Sequence, residues 1–384
     1  MSQTTVLRED PPAPTTLRQE GRGRLLTRLR PWLGALLVAL AAGELASRLD
    51  DWLFSDTPLL ATPDRASDLL KPEPWGVRGR PDGRYRRWQL DGNGFASPQV
   101  GLEAKGRRVM VLGASETFGL YESKGKDYPA QLALELQKRG IRDIEVVNAA
   151  IAGLTLPWLE TYWVNWASRF KPDVVLIYPS AHFYLDTEIP KPPVWHDPPQ
   201  ELPRTDLPSR LGMRFLDKAR QFPPLRSARR HWIVSGALAG KGPDYLFTSP
   251  PKDRVAAFVQ ALERLTEAVE RTGSRPVLVT QAFMTPLELS ATDRAQLEYF
   301  RIFFPRALPE VFPAFSAEAR NAVNALGKRR GWAVIDVASE LSGKRELFAD
   351  PVHFTDTGSQ RVAKLLADAV PAVLPPVGNR KETR

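Results

Sequence analysis

Residues 108–119 read Arg108-Val109-Met110-Val111-Leu112-Gly113-Ala114-Ser115-Glu116-Thr117-Phe118-Gly119. A β-branched, apolar run stops at a glycine, and a serine follows two residues later, where the next helix is due to begin. That places a hydroxyl at the carboxyl end of a strand, the edge on which open α/β sheets set their chemistry. Far downstream, Asp350-Pro351-Val352-His353-Phe354 puts an aspartate three residues before a histidine, just ahead of another amphipathic stretch. An early serine and a late Asp-x-x-His are the residue types of a nucleophile, a base and the group that orients the base.

Working outward from these two blocks, apolar strand patterns alternate with helical ones. Strands are expected at 108–112, 144–148, 174–178, 277–280 and 332–337. Helices are expected at 128–138, 156–170, 253–271, 317–330 and 357–370. Five apolar strands separated by helices predict an α/β fold, a parallel sheet covered on both faces. From 190 to 251 the alternation dissolves into proline-rich, basic sequence with helical pieces near Arg214 and Trp232, expected to form a cap or wall over the active edge. Upstream, 55–100 reads as a linker and approach, with turn signals at Pro72-Glu73-Pro74-Trp75-Gly76 and Arg80-Pro81-Asp82-Gly83. Tyr85 to Leu90 is expected to pair as a short edge strand. No internal repeat is visible.

A chain of 384 residues with 43% hydrophobic and 25% charged content can bury a sizeable core, and its 35 prolines gather in connecting segments. The net charge of +9 is spread over the arm before residue 31, over 71–87 and over 204–230. None of these shows a nucleic-acid module or an aromatic stacking series, so nucleic acid is not an expected partner; acidic glycans or phospholipid head groups suit the charge better. With no cysteine in the chain, disulfides, thiolate metal sites and sulfur-linked lipid anchors are excluded. Four scattered histidines lack paired ligand spacing, so no metal is expected. The stretch from Gly113 to Gly119 lacks a Walker lysine and the spacing of a dinucleotide loop, so no cofactor is expected either. His196 and His231 lie in the proline-rich and basic insertion and are not site candidates.

Residues 32–46 read WLGALLVALAAGELA, with arginines at 22, 24, 28 and 30 before them. The run is shorter than the ~20 residues of a spanning helix, but it can extend through Leu45 toward Trp52, Leu53 and Phe54. The preceding arginines keep the amino terminus cytoplasmic. The expectation is a single-pass inner-membrane anchor at 31–54 with the rest of the chain extracytoplasmic. Ala39-Leu40-Ala41 resembles a signal-peptidase site, so a cleaved, periplasmic form is the alternative. The expected organisation is a basic arm at 1–30, the anchor at 31–54, the approach at 55–100, a catalytic domain at 101–373 interrupted at 190–251, and a tail at 374–384.

The blocks together resemble the SGNH (GDSL-like) hydrolases, especially their bacterial membrane-anchored group. The resemblance covers residues 90–370. It is carried by Asn93-Gly94-Phe95-Ala96-Ser97-Pro98, by GASETFG at 113–119, by VVNAAIAGLTL at 146–156, by PDVVLIYPSAH at 172–182 and by DPVHFTDTG at 350–358. It implies a flavodoxin-like three-layer α/β/α sandwich, with Ser115 as nucleophile, His353 as general base and Asp350 holding the imidazole. It also implies an oxyanion hole made by the backbone N–H groups of Ser115 and Gly153 and by an asparagine side chain after the third strand.

Here the sequence departs from the family. Ser180-Ala181-His182-Phe183 stands where Gly-x-Asn-Asp is usual, so His182 occupies the asparagine position, and Ala114 replaces an aspartate of the nucleophile block. A neutral imidazole retains one N–H to donate. The activity implied is cleavage of carboxylic esters, with an O-acylated cell-envelope glycan or lipid as the expected substrate. Two rivals are an O-acyltransferase using a sugar hydroxyl as acceptor, and a catalytically weak, glycan-binding scaffold of the envelope.

Overall fold

A computed structural model describes residues 20–55, 57–60, 66–104, 106–193 and 209–376. Five strands form one parallel sheet: β1 (Arg107–Leu112), β2 (Ile144–Asn148), β3 (Val174–Ile177), β4 (Arg275–Val279) and β5 (Ala333–Ile335). The long helices in chain order are α1 (Glu20–Ser55), α2 (Tyr128–Lys138), α3 (Leu156–Asn165), α4 (Arg210–Gln221), α5 (Pro223–Leu238), α6 (Lys252–Arg271), α7 (Ala291–Phe300), α8 (Val311–Arg330) and α9 (Asp356–Val373). The strand order is β2-β1-β3-β4-β5. The chain therefore reverses its direction of growth between β1 and β3, and the crevice beyond the carboxyl ends of those two strands is where such sheets bind ligands.

Each strand divides its side chains between two cores, because successive residues point to opposite faces. Met110, Leu112, Val175, Ile177 and Leu278 pack with apolar residues of α3, α6 and α8. Val109, Val111, Val174, Leu176, Val277 and Val279 pack with α2 and α9 on the other side. Burial on both faces explains why these strands are uninterrupted apolar runs. The three layers are those expected from the alternation.

The described residues fall into two compact units, one within 1–63 and 206–217 and the other within 64–205 and 218–384. In the first, the Glu44 side chain of α1 accepts from Ser209 Oγ (2.7 Å) and from the backbone N–H groups of Arg210 (3.1 Å) and Leu211 (2.9 Å). Its segment Arg30–Phe54, 25 residues containing an 18-residue stretch of mean hydropathy 1.4, is long and apolar enough to cross a membrane, by length and composition; a signal sequence meets the same test.

Several elements differ from expectation. Tyr85 and Trp88 belong to a separate two-stranded hairpin, Arg84–Tyr85 against Trp88–Gln89, and not to an edge of the main sheet. The helix expected over 156–170 ends at Asn165 and continues as a 3-10 turn, Ala167–Phe170. The helix expected from 317 starts at Val311, because Pro313 sits in its first turn, where a missing N–H costs nothing. Helix α7 was not expected. The expected cap falls partly on residues 194–208, outside the described residues. Its helices α4 and α5 are present, and α5 buries none of its residues.

Candidate active site

After β1 the chain turns through Gly113 into a single helical turn, Ser115–Phe118, which ends at Gly119 with φ +86°. Gly113 has no substitute here, since a Cβ would sit 2.1 Å from Thr117 Oγ1. The neighbouring loop after β2 is tied to this turn. Asn148 Nδ2 donates to the carbonyl of Thr117 (3.0 Å), and the Ile151 N–H donates to the carbonyl of Gly113 (3.3 Å).

From 349 to 353 the chain closes a tight loop before α9, with the Ala349 N–H donating to the His353 carbonyl at 2.8 Å. Inside it the Asp350 carboxylate accepts from the backbone N–H groups of Val352 (3.0 Å) and His353 (2.9 Å). The same carboxylate lies 2.8 Å from His353 Nδ1 through either oxygen. His353 Nε2 lies 2.8 Å from Ser115 Oγ. Residues 238 positions apart thus form a continuous Ser–His–Asp chain of hydrogen bonds. The Tyr121 ring lies 5.1 Å from the imidazole, centroid to centroid.

The electrostatics agree with this geometry. Burial by itself would lower the basicity of His353, but the hydrogen bond and charge of Asp350 outweigh it and hold the imidazole above its usual range. Burial would likewise raise Asp350, and the bonds from His353 and the loop amides reverse that, leaving the carboxylate below its usual range.

Gly153 is exposed with φ +84°, and no described atom lies within 4 Å of where its Cβ would be. The backbone N–H groups of Ser115 and Gly153 donate to no described residue. His182 is buried in the 3-10 turn after β3, against Phe183, Phe300 and Phe304. Ala114 is buried. His231 lies exposed on α5, and His196 is outside the described residues.

Two residues that sequence reasoning passed over organise His182. Gln281 follows β4, and its Oε1 accepts from the Ala181 N–H at 2.8 Å. That contact fixes the amide orientation, because a backbone N–H can only donate. The Gln281 Nε2 group then donates to Glu116 Oε1 (2.8 Å) and to His182 Nδ1 (2.9 Å). With Nδ1 accepting, the neutral ring carries its proton on Nε2, and that nitrogen bonds to no described residue. Glu116 is buried and also accepts from Ser180 Oγ, 2.9 Å from each oxygen. Burial lowers the basicity of His182 more than the nearby Glu116 charge raises it, which keeps the ring neutral.

A buried carboxyl, Glu122, lies one residue past Tyr121 and accepts from Ser359 Oγ. Burial pushes its pKa up from 4.5 to about 7. Folding therefore favours the protonated form: its stabilisation is complete below about pH 4.5 and is lost as pH rises through about 7. Glu122→Gln keeps an acceptor for Ser359 and removes the ionisation. It is expected to raise the unfolding free energy at pH 8 by about 3 kcal/mol and to leave it nearly unchanged at pH 4. Urea midpoints of both proteins at the two pH values check this.

Among the described residues no group of three His, Asp or Glu side chains is placed to hold a metal ion. No protein-family model matches the chain, and no curated protein matches it. Solved structures do resemble it. A lipase/acylhydrolase from Enterococcus faecalis aligns at 16% identity with a TM-score of 0.41, covering 70% of this chain and 98% of its own. The M. smegmatis aryl esterase aligns at 14% identity and TM-score 0.41, over 70% of this chain and 100% of its own. LAE5, an alpha/beta hydrolase enzyme from the metagenome of Lake Arreo, aligns at 16% identity and TM-score 0.39, over 71% and 99%.

Proposed function

We propose that this chain is an SGNH-type serine hydrolase that cleaves carboxylic esters. In this reading it is exported and held at the membrane by α1, and it acts on O-acyl groups of a cell-envelope glycan or lipid. The observation that carries the chemistry is the unbroken hydrogen-bond chain from Ser115 Oγ through His353 to Asp350, both links at 2.8 Å, at the carboxyl edge of the sheet. The envelope location rests on the apolar segment of α1 and on the basic balance of the chain.

Ser115 Oγ attacks the ester carbonyl as its proton passes to His353 Nε2. Asp350 accepts from Nδ1–H, keeps the base in the productive tautomer and stabilises the imidazolium. Negative charge then develops on the carbonyl oxygen. The unpartnered N–H groups of Ser115 and Gly153 and the Nε2–H of His182 are the donors for it. Collapse of the tetrahedral adduct expels the alcohol, which takes the proton from His353. Water, activated in turn by His353, releases the acid and restores Ser115. This sequence needs no cofactor.

The test is release of p-nitrophenol from a short-chain acyl ester, followed by product analysis with an acetylated oligosaccharide and with a free glycan acceptor. Free acid as the main product in both supports a hydrolase. Transfer of the acyl group to the glycan would replace water as the acceptor and make the chain an acyltransferase. No turnover by a folded protein would leave only the scaffold.

A further inference from the structure

The triad chemistry leaves the basic insertion between β3 and β4 unexplained. Residues 209–241 hold eight arginines and lysines and one acid, Asp217. Within this stretch α5 has no buried residue. Its arginine Arg226 stacks on the Tyr299 ring, 3.6 Å from the centroid. At 100° per residue, Phe222, Leu225, Arg229 and Trp232 fall on one side of the helix. Phe222, Leu225 and Trp232 are exposed, Trp232 at 77%, and Phe215 and Leu216 of α4 are exposed as well. An aromatic face rimmed with arginine suits neither bulk water nor a second copy of a chain whose own net charge is +9.

The connectivity supplies a different occupant. Ser209 to Asp217 belong to the same unit as α1. Glu44 accepts the first N–H groups of α4, and Arg214 pairs with Asp50 and Asp51. These charges mark the end of the apolar run at which hydrocarbon gives way to head groups and water. Helix α5 starts at Pro223, nine residues after Arg214, which limits its start to about 30 Å of chain from that level.

We propose that α5 lies along an anionic bilayer surface. Its Phe222–Leu225–Trp232 face sits at the boundary between head groups and acyl chains, and Arg229 and Arg230 rest on lipid phosphates. The surface requires that α1 is retained, and it is independent of the ester chemistry.

Because the chain has no cysteine, a single Trp232→Cys substitution accepts an environment-sensitive fluorophore at that position alone. The full chain is placed in phosphatidylcholine nanodiscs with and without phosphatidylglycerol, with Lys328→Cys, on an exposed turn of α8, as the reference. The probe at 232 is expected to shift to the blue and to escape aqueous iodide only when phosphatidylglycerol is present, while the probe at 328 stays in water. Neutralising Arg229 or Arg230 to Gln should lower the ratio of protected to accessible probe about fivefold for each, the factor equivalent to ~1 kcal/mol. Ester turnover equal to wild type shows that the labelled protein is folded. A probe at 232 as accessible as that at 328 in both lipids would overturn the proposal. So would protection that follows protein density and not lipid charge, since that signals contact between copies.

Discussion

Ser115→Ala is expected to lower ester turnover by about 10⁶-fold and His353→Ala by a similar factor, while Asp350→Asn is expected to retain activity about 10⁴-fold below wild type. The ranking follows from the hydrogen-bond chain. In the proposed mechanism Ser115 Oγ forms the covalent bond and His353 Nε2, 2.8 Å away, is its proton acceptor, so without either one the other has no function. Asp350 acts through the imidazole and is itself held by two loop amides. An asparagine there keeps the loop amides satisfied but offers no charge and favours the wrong tautomer. Steady-state kinetics on a p-nitrophenyl ester, with circular dichroism to establish folding, measure the three effects. A folded Ser115→Ala protein with wild-type turnover would remove the nucleophile assignment.

The second large effect belongs to His182. His182→Ala is expected to lose about 100- to 1000-fold in turnover, the cost of one oxyanion donor. His182→Asn, which supplies an amide with no ionisation, is expected to keep or raise it. Gln281→Glu is the more telling change. The new side chain still accepts the Ala181 N–H, but its second oxygen faces both Glu116 and His182 Nδ1, so a proton is shared among the three groups and the donor that held the ring in its Nε2–H tautomer is lost. Turnover near neutral pH should then fall toward that of His182→Ala. In a His182→Asn background the same change should cost little, a coupling that a purely structural glutamine would not show.

The pH profile separates the two histidines. Sequence alone suggests that both titrate near 6.5 and share one steep acid limb. Their surroundings pull them apart, His353 upward through Asp350 and His182 downward through burial. Activity should therefore begin to fall above pH 6.5 as His353 takes a proton, with a second fall below 6.5 that is absent in His182→Asn. A single limb unchanged by His182→Asn would place the ring outside the mechanism.

The parts of this fold that could be read in the sequence are those set by local pattern. The apolar strands declare themselves because both faces of the sheet are covered, and Gly113 and Ser115 mark where one of them ends. The Asp350–His353 pair lies within one loop, so its spacing is visible directly. Helix α7 has a weak apolar face, and its one local signature is the capping box of Ser290 and Asp293. Helix α8 begins six residues ahead of the start its apolar pattern marks, since Pro313 is tolerated in a first turn and carries no pattern of its own. The grouping of Glu116, Ser180 and Gln281 has no local signature. Those residues lie at the ends of β1, β3 and β4, and only the parallel strand order brings them together. The one available hint was polarity, a glutamine directly after an apolar strand at the reactive edge. The split between the two histidines depends on burial, which no short motif encodes.

If Ser115 is an activated nucleophile, a fluorophosphonate probe applied to the full chain will find it. The probe forms a covalent bond only with a serine whose proton a base can remove. Stoichiometric labelling mapped to the peptide containing Ser115, abolished in Ser115→Ala and strongly slowed in His353→Ala, is the predicted result. A folded wild-type protein that takes up no probe, or one labelled equally well after Ser115→Ala, would contradict it.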